Sequence, residues 1–446
     1  MALPVDDTQI VPFQKRFYRH RGITILQKRD PELVKLRRSK IAVVLAGGAI
    51  SGGAFKVGGL RALDEMFASR RGPGTAGGAS PFSLVDADIF VGLSAGSVLA
   101  SVLAAGIRPD EAVRIALGTS TKYDEFTASE FMAPALGEYA ARIWGMFRRQ
   151  EVLFTNFLSG ATDPKKAAQF GIGGTLWKMS QALGRAAPVG LFTTEPLGAY
   201  LRRNMHRNGL PDDFAEQFAR TGKQLMLTAV DVNRGEQLVF GHDEPYGRVK
   251  ISDAIRASCA LPGWYTPVRL ANPRAGQPDE PPFLDLVDGG VMRTANVRVA
   301  VEKGADLVIC YNPFTRIRYD RDGRSLVDHG PYALASQLFR ILLGARLDLA
   351  KELLYRDETI DADVIFIEPA DDDFVFFRMN PLRHANKERA AQHGYDSIRA
   401  GILANHERLA AVLQTHGIQL RALGAPRRPW QGTEVLPHDL RESRGR

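Results

Sequence analysis

The stretch Asp88-Ile89-Phe90-Val91-Gly92-Leu93-Ser94-Ala95-Gly96-Ser97-Val98-Leu99-Ala100 decides how the rest of the chain is read. Ile89 to Val91 is a short apolar run of the kind that fills a buried strand. Val98, Leu99, Ala100, Val102, Leu103 and Ala104 read as a buried helix. Between them lies Gly-x-Ser-x-Gly, which occurs once in the chain. A serine on a tight strand-to-helix turn has its hydroxyl pushed clear of the backbone, which is the setting of a nucleophile. Gly92 and Gly96 leave room for strand and helix to approach each other. Ser94 opens the helix, where unpaired N–H groups and the helix dipole favour a developing negative charge.

Upstream, Lys40-Ile-Ala-Val-Val-Leu-Ala46 is a buried-strand pattern that runs into Gly47-Gly48-Ala49-Ile50-Ser51-Gly52-Gly53-Ala54. Phe55, Val57, Leu60, Leu63 and Met66 then keep a helical period to about Ser69. A glycine-rich loop between strand and helix can turn several N–H groups toward one anion. The spacing fits neither a dinucleotide fingerprint, which Ala49 breaks, nor a P-loop, because Gly53-Ala54 stands in place of its lysine and hydroxyl residue. An oxyanion cradle or a packing-only loop remain. Downstream, Phe283-Leu-Asp-Leu-Val287 is a strand ending in Asp288-Gly289-Gly290.

Further elements follow the same rules. Helices are predicted over about 109–117, 193–204, 297–304, 333–355 and 387–415. A helix over 252–261 has Ser252 as its N-cap residue. Strands are predicted over 224–230 and 236–240, joined by the turn Asp231–Gly235, and over 306–311 and 362–367. Alternating strands and helices indicate an α/β fold with a mainly parallel central sheet. Sites in such sheets gather at the carboxyl ends of strands. Three of these ends carry the glycine loop, Ser94 and Asp288.

The 446 residues, 45% hydrophobic and 24% charged, are those of a globular protein. Cys259 and Cys310 sit in apolar stretches and read as buried free thiols, which excludes a disulfide framework. No run of apolar residues is long enough for a transmembrane helix, and no signal peptide is visible beside Asp6 and Asp7. The expectation is a cytoplasmic protein, peripheral to membranes. A net charge of +8 suits an anionic membrane surface or nucleic acid. The absence of an interleaved aromatic and basic motif argues against nucleic acid.

Five regions are expected. Residues 1–39 form a basic arm, with ten Lys or Arg against Asp30 and Glu32 between Lys15 and Lys40. Such an arm either rests on anionic lipid or is a solvated lead-in helix. Residues 40–312 form the catalytic domain. Within it, 124–192 is a helical, cap-like insertion rich in aromatic and basic residues, Trp177 and Lys178 among them. It reads as a lipid-facing cap or as a subdomain with buried aromatics. Residues 313–420 supply the C-terminal helices and the last strand that complete the domain, and 421–446 are a polar, disordered tail.

A serine nucleophile needs a base, and its tetrahedral intermediate needs fixed donors. The usual base is histidine, but none of the nine histidines sits in a glycine-bearing strand-end loop. Asp288 is the better candidate. These residues resemble the patatin-like phospholipases of bacterial type. That family has a glycine loop after the first strand, a Gly-x-Ser-x-Gly elbow and an Asp-Gly-Gly/Ala motif. Here they stand as Gly47–Gly52, Gly92–Gly96 and Asp288–Gly290. Ala257-Ser258-Cys259-Ala260-Leu261-Pro262 and Asn296-Val297 are also similar to the family.

The resemblance implies a three-layer fold and a lipid acyl hydrolase of phospholipase A or lysophospholipase type, acting by a Ser–Asp dyad through an acyl-enzyme. Ser94 is then the nucleophile and Asp288 the base. Gly47, Gly48 and Ala49 form the oxyanion hole, with Gly52, Gly92, Gly96, Gly289 and Gly290 supporting the motifs. It implies no cofactor and no metal, a lipid ester as substrate and an anionic membrane surface as partner. Two positions depart from the pattern. Ala49 replaces the third glycine, and Ser51 stands where the family has a loop-shaping Arg or Lys, a loss for which Lys56 can compensate. The alternatives are a Ser-His-Asp esterase using His329, His384 or His393, and a catalytically weak lipid-binding protein on the same fold.

Overall fold

The computed structural model describes residues 16–29, 38–70, 79–131, 133–137, 189–313, 316, 325–329, 331–370, 373 and 387–422. Most of the insertion 124–192, Trp177 and Lys178 included, lies outside the described residues, as do His384 and 423–446 of the tail. In chain order the elements are β1 (Arg16–His20), β2 (Ile23–Gln27), β3 (Ile41–Leu45), α1 (Ala49–Met66), β4 (Phe67–Arg70), β5 (Ser80–Pro81), β6 (Ile89–Gly92), α2 (Ala95–Ala104), α3 (Pro109–Leu117), α4 (Ala128–Phe131), α5 (Glu195–Arg207), α6 (Phe214–Thr221), β7 (Gln224–Asp231), β8 (Glu236–Phe240), α7 (Ile251–Ser258), β9 (Val268–Ala271), β10 (Phe283–Asp288), α8 (Val297–Glu302), β11 (Leu307–Tyr311), α9 (Pro331–Arg356), β12 (Asp363–Ile367), α10 (Lys387–Ala404), α11 (His406–Thr415) and β13 (Ile418–Leu420).

The main sheet has the order β1-β2-β12-β11-β3-β6-β7-β10-β9, with β8 also on β7. Its five central strands, β12 to β7, run parallel, and the strands outside them are antiparallel. Alternation along the parallel strands fills two cores. Ile41, Val43, Leu45, Phe90 and Ile309 face one. Ala42, Val44, Ile89, Val91, Val308 and Cys310 face the other, with Val299 of α8 and Leu347 of α9. Strands apolar on both faces are the signature of a sheet covered on both sides, so three layers follow. No described helix is long and apolar enough to cross a membrane.

Three expectations are corrected. Residues 16–27 of the basic arm form the antiparallel hairpin β1–β2, which joins the sheet through β12. Its outer strand is charged and exposed, as an edge strand is when it avoids pairing with other chains. The glycine stretch 47–54 is mostly helix, because α1 begins at Ala49 and leaves only Gly47 and Gly48 as loop. Ser252 is not an N-cap: it lies inside α7, where its N–H and hydroxyl both donate to Asp212, at 2.7 Å each.

The C-terminal region belongs to the same body. Helix α10 crosses α1 at bare backbone: a Cβ on Gly58 would stand 1.7 Å from the Ala391 carbonyl oxygen, and one on Gly394 2.0 Å from that of Phe55. At the far edge His416 bonds Ser39 and Asp363, at 2.9 Å each, tying the chain end to the entries of β3 and β12.

Candidate active site

Strand β6 ends at Gly92, and the chain reverses over Leu93 and Ser94 into α2. Ser94 has φ 53° and ψ −133°, a conformation rare for a residue with a Cβ. Strain of this kind costs about 1–3 kcal/mol and persists only where its surroundings enforce it. Here they do. The Ser94 N–H donates to Ser258 Oγ at 2.8 Å, and the Ser94 carbonyl accepts from Ser97 Oγ at 2.6 Å. The Leu93 N–H donates to the Leu45 carbonyl at 3.1 Å. The two motif glycines have steric reasons. A Cβ on Gly92 would lie 2.5 Å from Ser97 Cα, and one on Gly96 2.1 Å from the Leu45 carbonyl oxygen.

Asp288 reaches the same level by a different route from the one expected. It ends not a parallel strand but β10, which runs against β7 and stops with Asp288 opposite Ala229. Gly92 lies opposite Leu227 in the parallel pair β6–β7. Ser94 and Asp288 each stand two residues beyond that rung. Gly289 permits the approach, since a Cβ there would lie 2.8 Å from Leu93 Cδ1 and 3.0 Å from the Thr228 carbonyl oxygen. Asp288 is buried (3% exposed). One of its carboxylate oxygens accepts from the Gly290 N–H at 2.8 Å. Burial pushes its carboxyl up to about 6, while hydrogen bonds from the Ser94 hydroxyl and the Gly290 N–H, and the Lys56 cation, pull it back toward the usual range.

Ser94, Asp288, Gly47, Gly48 and Gly290 line one cavity of about 70 Å³, closed by Phe131, Trp264, Tyr265, Phe339 and Leu343. Gly48 is the N-cap residue of α1, so the amides of the glycine loop and of Ala49 stand at the positive end of an 18-residue helix. Gly52 lies within that helix. Ala95 and Phe131 also line a second, larger cavity of about 290 Å³, walled by Val57, Leu99, Val102, Phe126 and Leu225.

Sequence reasoning missed Ser258. It lies in the stretch 257–262 that resembled the family, and the structure gives that stretch a task. The end of α7 holds Ser94 through Ser258, while the Ala260 carbonyl accepts from the Asp288 N–H at 2.9 Å. Cys259 lines the cavity with its thiol pushed up to about 12 by burial. Asn296 bonds Thr228 and Gln237, bracing the neighbouring strands.

Among the described residues no histidine lines either cavity. His393 pairs with Asp373, and His329 ends the 3-10 turn Leu326–His329. The trio Ser39–His416–Asp363 has triad chemistry, but Asp363 also accepts the backbone N–H groups of Lys28 and Arg29, and the whole group is buried as a staple. Among the described residues no group of three or more His, Cys, Asp or Glu is placed to hold a metal ion.

The family model of patatin-like phospholipases matches residues 43–301. Among solved structures, the chain is similar to VipD from Legionella pneumophila at 16% identity, covering 87% of this chain and 70% of that one, with a TM-score of 0.33. It is also similar to human GIVD cytosolic phospholipase A2 at 11% identity, covering 86% of this chain, with a TM-score of 0.39. The chain spans 60% of that human protein's length. The matched family region takes in the end of β3, the glycine loop, the Ser94 elbow and the Asp288 turn, and it amounts to more than half of the sequence. The chain belongs to the patatin-like phospholipase family.

Proposed function

We propose that this chain is a serine lipid acyl hydrolase that cleaves fatty-acyl esters with Ser94 and Asp288. The observation that carries the reading is Ser94, on its strained elbow, and the buried carboxylate of Asp288 lining one cavity with the glycine loop. A carboxylate held near pH 6 is ionised at neutral pH and still a better proton acceptor than an ordinary aspartate. Asp288 takes the hydroxyl proton as Ser94 Oγ attacks the ester carbonyl. Amides of Gly47, Gly48 and Ala49 at the α1 N-terminus stabilise the oxyanion. The tetrahedral intermediate collapses, the leaving alcohol receives the proton, and an acyl-enzyme remains. Water, deprotonated by Asp288, then attacks the acyl carbonyl; the acyl–Ser94 Oγ bond breaks, Ser94 takes the proton back from Asp288, and the fatty acid is released. The larger cavity next to Ala95 supports a long acyl chain, because each CH₂ taken from water into such a space gains about 0.8 kcal/mol. No described residue supports the histidine alternative.

The lipid surface is the proposed partner. Leu334, Leu338, Ile341, Leu342, Leu349 and Leu353 form one exposed face of α9, where a solvated helix is polar. Leu338 and Leu342 are 51% and 61% exposed. The other side of this helix sends Phe339 and Leu343 into the Ser94 cavity. Arg346 of α9 donates to the Val291 carbonyl at 2.6 Å, which joins this face to the turn after Asp288. Asp348 is shared by Arg19 and Arg316, and Arg293, two residues after Val291, is exposed, so arginines border this face. An apolar stripe with a cationic rim fits anionic lipid.

The test is fatty-acid release from mixed anionic phospholipid vesicles and from a water-soluble p-nitrophenyl ester, with wild type and Leu338→Glu/Leu342→Glu. Two apolar-to-charged changes on this exposed face are expected to weaken vesicle binding and vesicle hydrolysis about tenfold or more. The soluble ester should be cleaved at the wild-type rate. Equal loss on both substrates, or none on vesicles, contradicts the surface. A wild type inert on every ester contradicts the hydrolase.

A further inference from the structure

Position 51 lacks the basic residue of the family pattern, and the structure points to what stands in for it; the inference rests on the acyl-hydrolase reading. Lys56 of α1 is fully buried (0% exposed). A buried ammonium is costly unless it is paired and hydrogen-bonded. Its Nζ donates to the carbonyl oxygen of Ala46, the residue that joins β3 to Gly47. The same carbonyl faces α2, since a Cβ on Gly96 would lie 2.6 Å from it. Strand, glycine loop and nucleophile helix therefore meet at Ala46. A trans peptide is planar, so the Ala46 carbonyl and the Gly47 N–H point in opposite directions. Holding the carbonyl toward the core turns the Gly47 N–H away from Lys56, on the loop whose glycines line the Ser94 cavity.

We propose that Lys56 is the positioning residue of the oxyanion loop, fixing the Ala46–Gly47 peptide from the core side. The titratable groups facing it are Cys259 at the end of α7, Asp288 at the end of β10 and Cys310 in β11. Burial pushes both thiols well up, so Asp288 is the anion of the set at neutral pH. Burial brings the Lys56 amine down to about 7, and Asp288 draws it up again. In return Lys56 favours the carboxylate form of Asp288. One side chain thus governs both the direction of a donor amide and the proton affinity of the base.

Lys56→Met keeps the length and removes donor and charge. On a soluble short-chain ester, kcat is expected to fall about 10- to 100-fold with KM little changed, because the lost interaction acts in the transition state. The acid limb of kcat/KM should move to higher pH by about one unit, since an opposite charge no longer favours the ionised base. Lys56→Gln is read the same way where the methionine variant does not fold by circular dichroism. Lys56→Arg keeps donor and cation and should hold the limb at the wild-type pH. A limb that stays put in a folded neutral variant, or moves in the arginine variant, overturns the proposal, as does a neutral variant with kcat within about twofold of wild type. A wild type no more active than Ser94→Ala overturns the hydrolase reading, and this inference with it.

Discussion

Asp288→Asn is expected to lower kcat for ester hydrolysis by about a hundredfold to ten-thousandfold, the range lost with a general base, and to approach the residual rate of Ser94→Ala. Asparagine keeps the shape and one acceptor for the Gly290 N–H, so the loss reports chemistry rather than a collapsed turn. Stability should move the other way. The Asp288 carboxyl is raised from 3.8 to about 6 in the fold. A group bound to its proton more tightly when folded supports the fold fully below its unfolded value and loses that support as pH rises. Its contribution therefore falls between about pH 4 and pH 6 and is flat above. Removing the buried charge should raise stability at pH 7 by on the order of 1–3 kcal/mol and abolish that step. A variant that is more stable and nearly inert is the expected result, read by thermal melts at pH 4, 6 and 7.5 beside initial rates. Wild-type turnover in the asparagine variant places the base elsewhere.

Gly96→Ala should damage both the fold and the activity. Its new Cβ would lie 2.1 Å and 2.6 Å from the carbonyl oxygens of Leu45 and Ala46. Leu45 ends β3, in the middle of the parallel sheet, and Ala46 follows it, so neither can retreat without breaking the bond from the Leu93 N–H to Leu45 or from Lys56 to Ala46. Overpacking of this kind costs about 1–3 kcal/mol or more. It also displaces α2, and with it the strained turn that aims Ser94. A misplacement of about 1 Å lowers rates on the order of a hundredfold. Activity and melting temperature should fall together. Gly53→Ala is the comparison, because its Cβ would meet only Ala95 Cβ at 3.8 Å, and its melting temperature should hold. If Gly96→Ala folds and turns over like wild type, the elbow is not the rigid support described.

What was legible in the sequence follows from how local each constraint is. Ile41–Leu45, Ile89–Gly92 and Leu307–Tyr311 are apolar at every position because both their faces are covered, and no partner needs to be known to read them. The Ser94 turn was equally plain, since its Gly-x-Ser-x-Gly lies between an apolar strand and an apolar helix, although Gly96 meets the distant Leu45. The β1–β2 hairpin was not, because an edge strand that is charged and exposed looks like a solvated arm. The α1–α10 crossing was hidden because Gly58 and Gly394 need each other's helix, more than 300 residues away, to explain them. Ser258 was hidden for the same reason, and Lys56 was visible only as a residue that can compensate for Ser51. One receives the Ser94 N–H from across the fold, and the other is a lysine in the fully buried part of a helix. The direction of β10 could not be read either: a strand ending in Asp288 carries no mark of being antiparallel.

The most direct test of the central claim, that Asp288 activates Ser94 without a histidine, is covalent labelling by a long-chain alkyl fluorophosphonate. Ser94 Oγ displaces fluoride, and the rate reports the activation of that hydroxyl alone. Labelling should map by peptide mass spectrometry to Ser94 and vanish in Ser94→Ala. It should rise through an acid limb near pH 6, the value burial gives Asp288, and slow about a hundredfold or more in Asp288→Asn, as expected when a general base is removed. Label on another serine, or an asparagine variant that reacts at the wild-type rate, contradicts the account.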